Sequence, residues 1–401
     1  MSLHIGSSNI SDIYVGNSKI SDIYVGNDLV YTSNKGPDLT VPLYFEANDP
    51  TEACTVKFEV VQTMTNTWNP EAVNPEYFPS VPSPNWAYSY DGNTWTAYTL
   101  GTDISLGGTN PGRVYFKTLT EYTDTLPWRL TYTTTDKVPL DYNTVIHAVI
   151  SGSVKAQGNV MSLISLGFNS RTDVQSRAFE SLFAGCTSLT EAPVLPATTL
   201  ADRCYFRMFQ NCTSLTVAPM LPATTLEEAC YSYMFYGCTS LTEAPELPAS
   251  TLAPNCYNFM FYKCTSLTEA PVLPASTLAE YCYSTMFSGC TSLTSAPELP
   301  ATTLANFCYK NMFQGCASLT SVPALPATTL ANFCYQNMFT GLRGNNTASA
   351  PCVYPYRIPE SGTGTAGGDT SLSSMFTNID STGTFTPTIN TIFYISVPVA
   401  N

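Results

Sequence analysis

The chain has 401 residues, only 11% of them charged, and a formal net charge of −14. That length accommodates two or three domains. The acid excess excludes the basic footprint of a nucleic-acid binder, an aromatic content of 12% sets the chain apart from a disordered one, and no apolar run reaches membrane-spanning length.

The first segment, residues 1–35, contains a repeat of period ten: Ile10 to Asn17 reads ISDIYVGN, and Ile20 to Asn27 reads the same. β-Branched and aromatic residues followed by Gly-Asn predict short strands with tight turns. A unit so small has no core of its own, so it must pair with another copy or dock on a larger body. The opening residues lack a basic region and an apolar stretch, so they do not read as a secretory signal. Ser33 to Pro37 reads as a linker.

Residues 36–164 read as all β. Short alternating runs occur at Leu43–Phe45, Cys54–Val60, Trp86–Tyr90, Thr94–Tyr98, Arg113–Phe116 and Thr144–Ile150, and Asp91-Gly92 is a hairpin signal. The expectation is a β-sandwich of about seven strands with a proline-rich insertion, Asn66 to Asn85.

Residues 165–341 are organised by a strict period of 26. One cysteine column runs Cys186, Cys212, Cys238, Cys264, Cys290 and Cys316, and a second runs Cys204, Cys230, Cys256, Cys282, Cys308 and Cys334. Phenylalanine holds register from Phe183 to Phe339. A fixed period of this size predicts a solenoid whose coils stack to bury a continuous core. Within one coil, Leu189 and Leu195 sit on an extended piece ended by Pro193 and Pro196. Thr198-Thr199 then reads as an N-cap. Leu200, Cys204 and Met208 fall at i, i+4 and i+8 with Tyr205 and Phe209 beside them, which predicts a short helix. Asn211, Gly237, Gly289, Gly315 and Gly341 would end it in the left-handed conformation, with Lys263 the exception. Ala178, where a cysteine would stand, marks a capping coil.

The FxxCTSLTxAPxLPATTLAxxCYxxMF sentence resembles the BspA-type leucine-rich repeats of surface proteins of gut and oral bacteria and of virion proteins of their phages. That resemblance implies a right-handed solenoid with one strand and one short helix per coil, and no enzymatic activity. The YSYDGNTWTAY stretch resembles the Ig-like module that precedes such repeats. The IYVG-type repeats resemble those opening virion proteins of Bacteroidales phages, where they imply an attachment or oligomerisation tag; a simple hairpin packed on the next domain is the alternative. The expected fold class is thus mainly β with short helices: N-terminal β repeats, an Ig-like β-sandwich, then a BspA-type leucine-rich-repeat solenoid. Residues 342–401 read as a degenerate last coil and C-terminal cap, in which Ala350-Pro351 and Ser374-Met375-Phe376 echo the AP and MF positions. Thr391 to Val397 is a strand that finishes the cap or pairs with a neighbour.

Residue patterns that carry chemistry are few. Twelve of the 14 cysteines form the two columns. They read as buried, reduced ladders, with disulfides left open because coil spacing of about 5 Å does not forbid them. Zinc is disfavoured by the lack of CxxC and by only two histidines, His4 and His147. Glu243 with Glu246, and their stacked neighbours Glu191, Glu269 and Glu298, are candidates for glycan cleavage, but their positions also carry Val, Met, Ser and Ala, so they read as solvated fillers. No catalytic, cofactor or metal site is expected. The residues that vary beside the CY and MF pairs, Phe206, Tyr233, Tyr236, Phe259, Tyr262, Tyr281, Phe307 and Phe333, form the candidate ligand-contact face, since exposed rings stack on sugars or anchor proteins. The resulting expectation is a non-enzymatic phage virion protein on the particle surface, made in the host cytoplasm. It would be a head fibre, capsid decoration or tail fibre, joined to other virion proteins through its N-terminal repeats, assembled as a homo-oligomer, and adhering to host or mucus glycans. The alternatives are a bacterial cell-surface BspA-like adhesin, a glycan-degrading tailspike and a purely architectural capsid protein.

Overall fold

The computed structural model describes residues 38–60, 83–123, 126, 145–319, 323–327 and 330–341 in full. It gives the backbone alone for strand residues 14–15, 18–19, 22–25, 28–32, 61–64, 142–144, 329, 352–357, 361–362 and 392–397. The expected linker, most of the proline-rich insertion, His4 and the AP and MF echoes at 350–351 and 374–376 lie outside the described residues.

Each ten-residue copy at the N-terminus contributes to a hairpin. Strand β1 (Tyr14–Val15) pairs antiparallel with β2 (Ser18–Lys19), and β3 (Asp22–Val25) with β4 (Asp28–Thr32). Val15 faces Ser18 and Val25 faces Asp28.

The next eight strands are β5 (Tyr44–Ala47), β6 (Cys54–Met64), β7 (Trp86–Ser89), β8 (Thr96–Tyr98), β9 (Ile104–Leu106), β10 (Arg113–Thr118), β11 (Tyr142–Ser151) and β12 (Val154–Gln157). They form two sheets, one ordered β12-β5-β10-β7-β8 and one ordered β11-β6-β9. Alternation along β10 decides what each face does: Val114, Phe116 and Thr118 are buried, while Arg113, Tyr115 and Lys117 point the other way. The sheets meet through edge-to-face rings, Phe58 lying 5.1 Å from both Trp86 and Phe116 and 6.0 Å from Phe45. The buried Trp86 indole donates to the Leu163 carbonyl at 2.8 Å, so its one polar atom is satisfied. The Asp91-Gly92 signal corresponds to the β7–β8 hairpin, in which Gly92 takes a φ of 76°. Asp91 Oδ1 there accepts from Ser89 Oγ and from the Asn93 and Thr94 amides, which holds its carboxyl well below the usual range.

The repeats stack in register, but the expected helices are absent. Among the described residues the one helical element is a 3-10 turn, Val160–Leu163. Where a helix was predicted, the backbone amides alternate between two tasks. Tyr205, Arg207, Phe209 and Asn211 donate to the carbonyls of Cys230, Ser232, Met234 and Tyr236, each 25 residues on, at 2.7–3.1 Å. The intervening Cys204, Phe206, Met208, Gln210 and Cys212 donate three residues back, closing successive β-turns. Arg203, Arg207 and Asn211 have positive φ, 52°, 57° and 59°. Every second turn thus carries the left-handed residue that a type II turn requires at its third position. A helix would spend all its amides within the coil; this backbone commits half of them to its neighbour. Lys263 conforms at φ 59°, so it breaks the residue pattern without breaking the backbone one. Thr199 caps no helix: it joins Asp173 in a parallel bridge, as Thr225 joins Thr251 and Thr277 joins Thr303.

The turns present two residues inward and two outward. Cys204, Tyr205, Met208, Phe209 and Cys212 are at most 1% exposed. Phe183, Phe209, Phe235, Phe261, Phe287, Phe313 and Phe339 stack nearly parallel with centroids 5.5–5.8 Å apart. The tyrosines from Tyr205 to Tyr335 form a second buried column at 5.8–5.9 Å. The opposite half of each coil is extended and proline-rich, with parallel bridges Glu191 to Val217 and Val217 to Glu243.

The first coil does not begin in solvent. Strand β12 pairs in parallel with β13 (Leu189–Glu191). Cys186 Sγ donates to the Ala148 carbonyl at 3.0 Å, the role that Phe183 plays for Cys212 one coil later. Gln157 and Lys155 both reach the Glu191 carboxylate, at 2.6 and 3.0 Å, and Phe183 packs 6.2 Å from Phe45. One apolar cluster therefore runs from Leu43 to Phe339, and strands β11 and β12 supply the coil that the first repeat would otherwise lack. At the other end β14 (Thr329–Leu330) pairs in parallel with β16 (Ser361–Gly362), continuing the threonine bridge column, and β15 (Cys352–Arg357) pairs antiparallel with β17 (Ile392–Val397).

Candidate aromatic binding face

The outward pairs of the turn segments carry the eight candidate residues, and each is half-buried. They separate into two groups. Phe206, Tyr233, Tyr236, Phe259 and Tyr262 form one connected cluster: Tyr233 stacks on Phe259 at 4.6 Å, Tyr236 on Tyr262 at 4.7 Å, and Phe206 meets Tyr233 edge-on at 5.7 Å. Tyr281, Phe307 and Phe333 form a second row, stacked at 4.4 and 4.7 Å. The second row occupies the column that begins at Arg203, whereas Tyr233 and Phe259 belong to the column of Arg207. Buried Ser284, Thr285 and Ser288 stand where the first cluster would continue. The face is two patches, not one strip.

Backbone conformation makes these rings unusual. Tyr233, Phe259, Tyr281, Phe307 and Phe333 all have φ between 55° and 58°. Asn255, Asn311 and Asn337 fill the same columns elsewhere, and asparagine is the non-glycine residue that accepts this region most readily. Burial raises the Tyr233 phenol, with the Arg207 charge opposing, and raises Tyr281 with the help of Glu280.

Cations border the rings, a feature not anticipated from the apolar pattern. The Arg207 guanidinium lies 4.8 Å from the Phe206 centroid and 5.2 Å from that of Tyr233; Lys263 lies 5.2 Å from Tyr262 and Lys310 5.4 Å from Phe307. The sequence held a signal for them, since each cation directly follows an aromatic or sits three residues from one.

The remaining candidates separate from this face. Glu243, Glu246, Glu269 and Glu298 are exposed on the proline half. Glu243 and Glu269 line a surface hollow of about 310 Å³ with Ala244, Thr268 and Pro271, and Glu298 lines another of about 440 Å³ between proline pairs. Exposed Val217, Met220 and Val272 belong to the same half. The described thiols are all free and buried. Those of the first column from Cys212 to Cys316 donate to a phenylalanine carbonyl of the preceding coil at 3.0–3.1 Å, and burial pushes Cys186 and Cys204 up to about 12. Thiols so far from ionising make poor nucleophiles and poor metal ligands. His147 Nδ1 is 3.2 Å from the Ser181 carbonyl. Among the described residues no group of three His, Cys, Asp or Glu could hold a metal, and no helix is long and apolar enough to cross a membrane.

The 26-residue repeats thus form a stack that carries half-buried rings in two outward patches. Residues 207–341 match the BspA type leucine rich repeat region, in six copies, a repeat typical of binding and adhesion and not of catalysis. Neither a curated protein nor a solved structure matches the chain.

Proposed function

We propose that this is a non-enzymatic, adhesin-type surface protein that binds glycans through the aromatic patches of a leucine-rich-repeat solenoid, carried on an Ig-like sandwich. The observation that carries the reading is the placement of five large rings at left-handed backbone positions. Holding a ring there costs on the order of 1 kcal/mol per residue, and asparagine in neighbouring coils is the easier choice. Rings kept against the local backbone preference are kept for what they touch. Stacked rings offer flat apolar area to sugar faces, and display in many copies turns weak single contacts into avidity. Binding of the purified chain to immobilised mucin glycans, measured by surface plasmon resonance, tests it. Tyr233→Ala with Phe259→Ala is expected to abolish binding without unfolding the stack; unchanged binding refutes the assignment of the face.

We further propose a tailed-phage particle as the carrier, with the N-terminal hairpins as the attachment. Its support is the likeness of the IYVG repeats to those of virion proteins. The repeat match favours a bacterial cell surface equally, and that is the second reading. Deleting residues 1–31 and measuring incorporation into purified particles separates them: loss of incorporation supports the virion carrier, while a protein found only in bacterial envelopes establishes the other.

A further inference from the structure

Resting on that glycan-binding reading, we propose that the Phe206–Tyr262 patch is selective for anionic sugars, those bearing a carboxylate or a sulfate, and that Arg207 is the residue that takes the charge.

Arg207 differs from every other described arginine. Arg113 pairs with Glu46 at 2.7 Å, Arg171 with Glu121 and Asp173 at 3.1 Å, Arg203 with Asp202 at 3.8 Å and Arg177 with Glu180 at 3.9 Å. Arg207 has no carboxylate among the described residues, in a chain whose net charge is −14. Its Nε is buried and donates to nothing. Its guanidinium is set in the corner between the Phe206 and Tyr233 rings, which fixes the fork and leaves its charge uncompensated. The residue stands at φ 57°, where arginine has no backbone advantage. A half-buried guanidinium held against two rings with no carboxylate partner is an arrangement that recognises a carboxylate or sulfate by paired hydrogen bonds.

Lys263 supplies a second charge on the same patch. It is exposed, makes no ion pair among the described residues, lies over Tyr262 and also holds a left-handed φ of 59°. It stands two coils from Arg207 along the stack and in the next left-handed column, that of Asn211. The acidic residues Glu243, Glu246, Glu269 and Glu298 sit on the opposite, proline half of the coils. The rings would stack on sugar faces and the cations would select the acidic ones.

The test is isothermal titration of the full chain with sialyllactose, a sulfated galactose oligosaccharide and the neutral parent of each. The expected result is tighter binding of an acidic probe than of its parent, weakened by salt. Arg207→Gln should lower that affinity about tenfold or more and leave the neutral parent unaffected, while Arg207→Lys should fall between; near-UV circular dichroism checks the ring stack, and Lys263→Gln provides a second reading if Arg207→Gln fails to fold. The sialylated and sulfated arms decide which anion is preferred. Equal affinity for acidic and neutral sugars overturns the selectivity and leaves the adhesion reading standing. No binding to any of the sugars overturns both.

Discussion

The cysteine columns predict how the fold fails at high pH. Eleven thiols from Cys186 to Cys316 have ionisation pushed upward by burial, Cys186, Cys204, Cys256 and Cys316 to about 12 from an ordinary 9.0. The folded chain keeps protons that the unfolded chain releases, so this contribution is complete below pH 9 and is lost as pH rises from 9 towards 12. Each thiol weakens the fold by about 1.4 kcal/mol per pH unit inside that window. Eleven acting together remove about 8 kcal/mol by pH 9.5 and about 15 kcal/mol by pH 10, as much as the whole stability of an ordinary domain.

The buried tyrosine column adds to the slope, because burial also raises Tyr205, Tyr231 and Tyr257. The stack should therefore unfold cooperatively between about pH 9.5 and 10.5 under reducing conditions. Far-UV circular dichroism and tyrosinate absorbance at 295 nm should change together in one transition. Replacing Cys238, Cys264 and Cys290 by alanine should reduce the pH slope of stability by roughly a quarter. A chain that keeps its native spectrum to pH 11 while its tyrosines titrate gradually refutes the reasoning, as does a slope unmoved by the triple variant.

Phe235→Ala removes a fully buried ring lying 5.7 and 5.6 Å from its neighbours and should cost about 3–5 kcal/mol in a urea titration, whereas Phe259→Ala on the half-buried face should cost much less and act on binding. Lys263→Gly should raise stability by about 0.5 kcal/mol, the relief of a left-handed side chain less the added freedom of the unfolded chain, yet weaken capture of an acidic sugar; a variant that melts earlier than the parent contradicts the strain argument. Gly237→Ala should cost more than about 1 kcal/mol, because φ is 71° and the new Cβ would stand 2.3 Å from Asn211 Oδ1. Unchanged urea melts for Gly237→Ala would show that the turn relaxes around the methyl.

The stacking and the pairs of residues that fill the core were legible because period alone determines them: residues 26 apart must occupy equivalent places once the coils stack. The outward rings were legible as variation beside constant pairs, but their division into two patches was not, because that depends on which outward column each ring occupies. Phe206 and Phe307 look equivalent as aromatics near a CY pair, yet one follows Tyr205 and the other precedes Cys308. The cations were missed for a different reason. An apolar pattern does not show that Arg207 lacks a carboxylate; that is known only once the other arginines are seen to have one.

The predicted helix failed for a reason that applies to any short repeat of this kind. Leu200, Cys204 and Met208 recur every four residues, and i, i+4, i+8 is compatible with one face of a helix. Two successive β-turns also advance the chain by four residues, and here they do so with a left-handed residue at 203, 207 and 211. Spacing cannot tell these apart, but residue type and the fate of the amides can. A helix tolerates neither repeated left-handed residues nor the loss of every second internal hydrogen bond. The buried residues come in adjacent pairs, Cys204 with Tyr205 and Met208 with Phe209, and the intervening pairs face outward. Two-in, two-out alternation is what consecutive turns produce, and it was present in the constant CY and MF pairs. The turn geometry releases alternate amides to the neighbouring coil, so the same feature that defeats the helix holds the stack in register and sets the outward pairs, with their rings and cations, in rows.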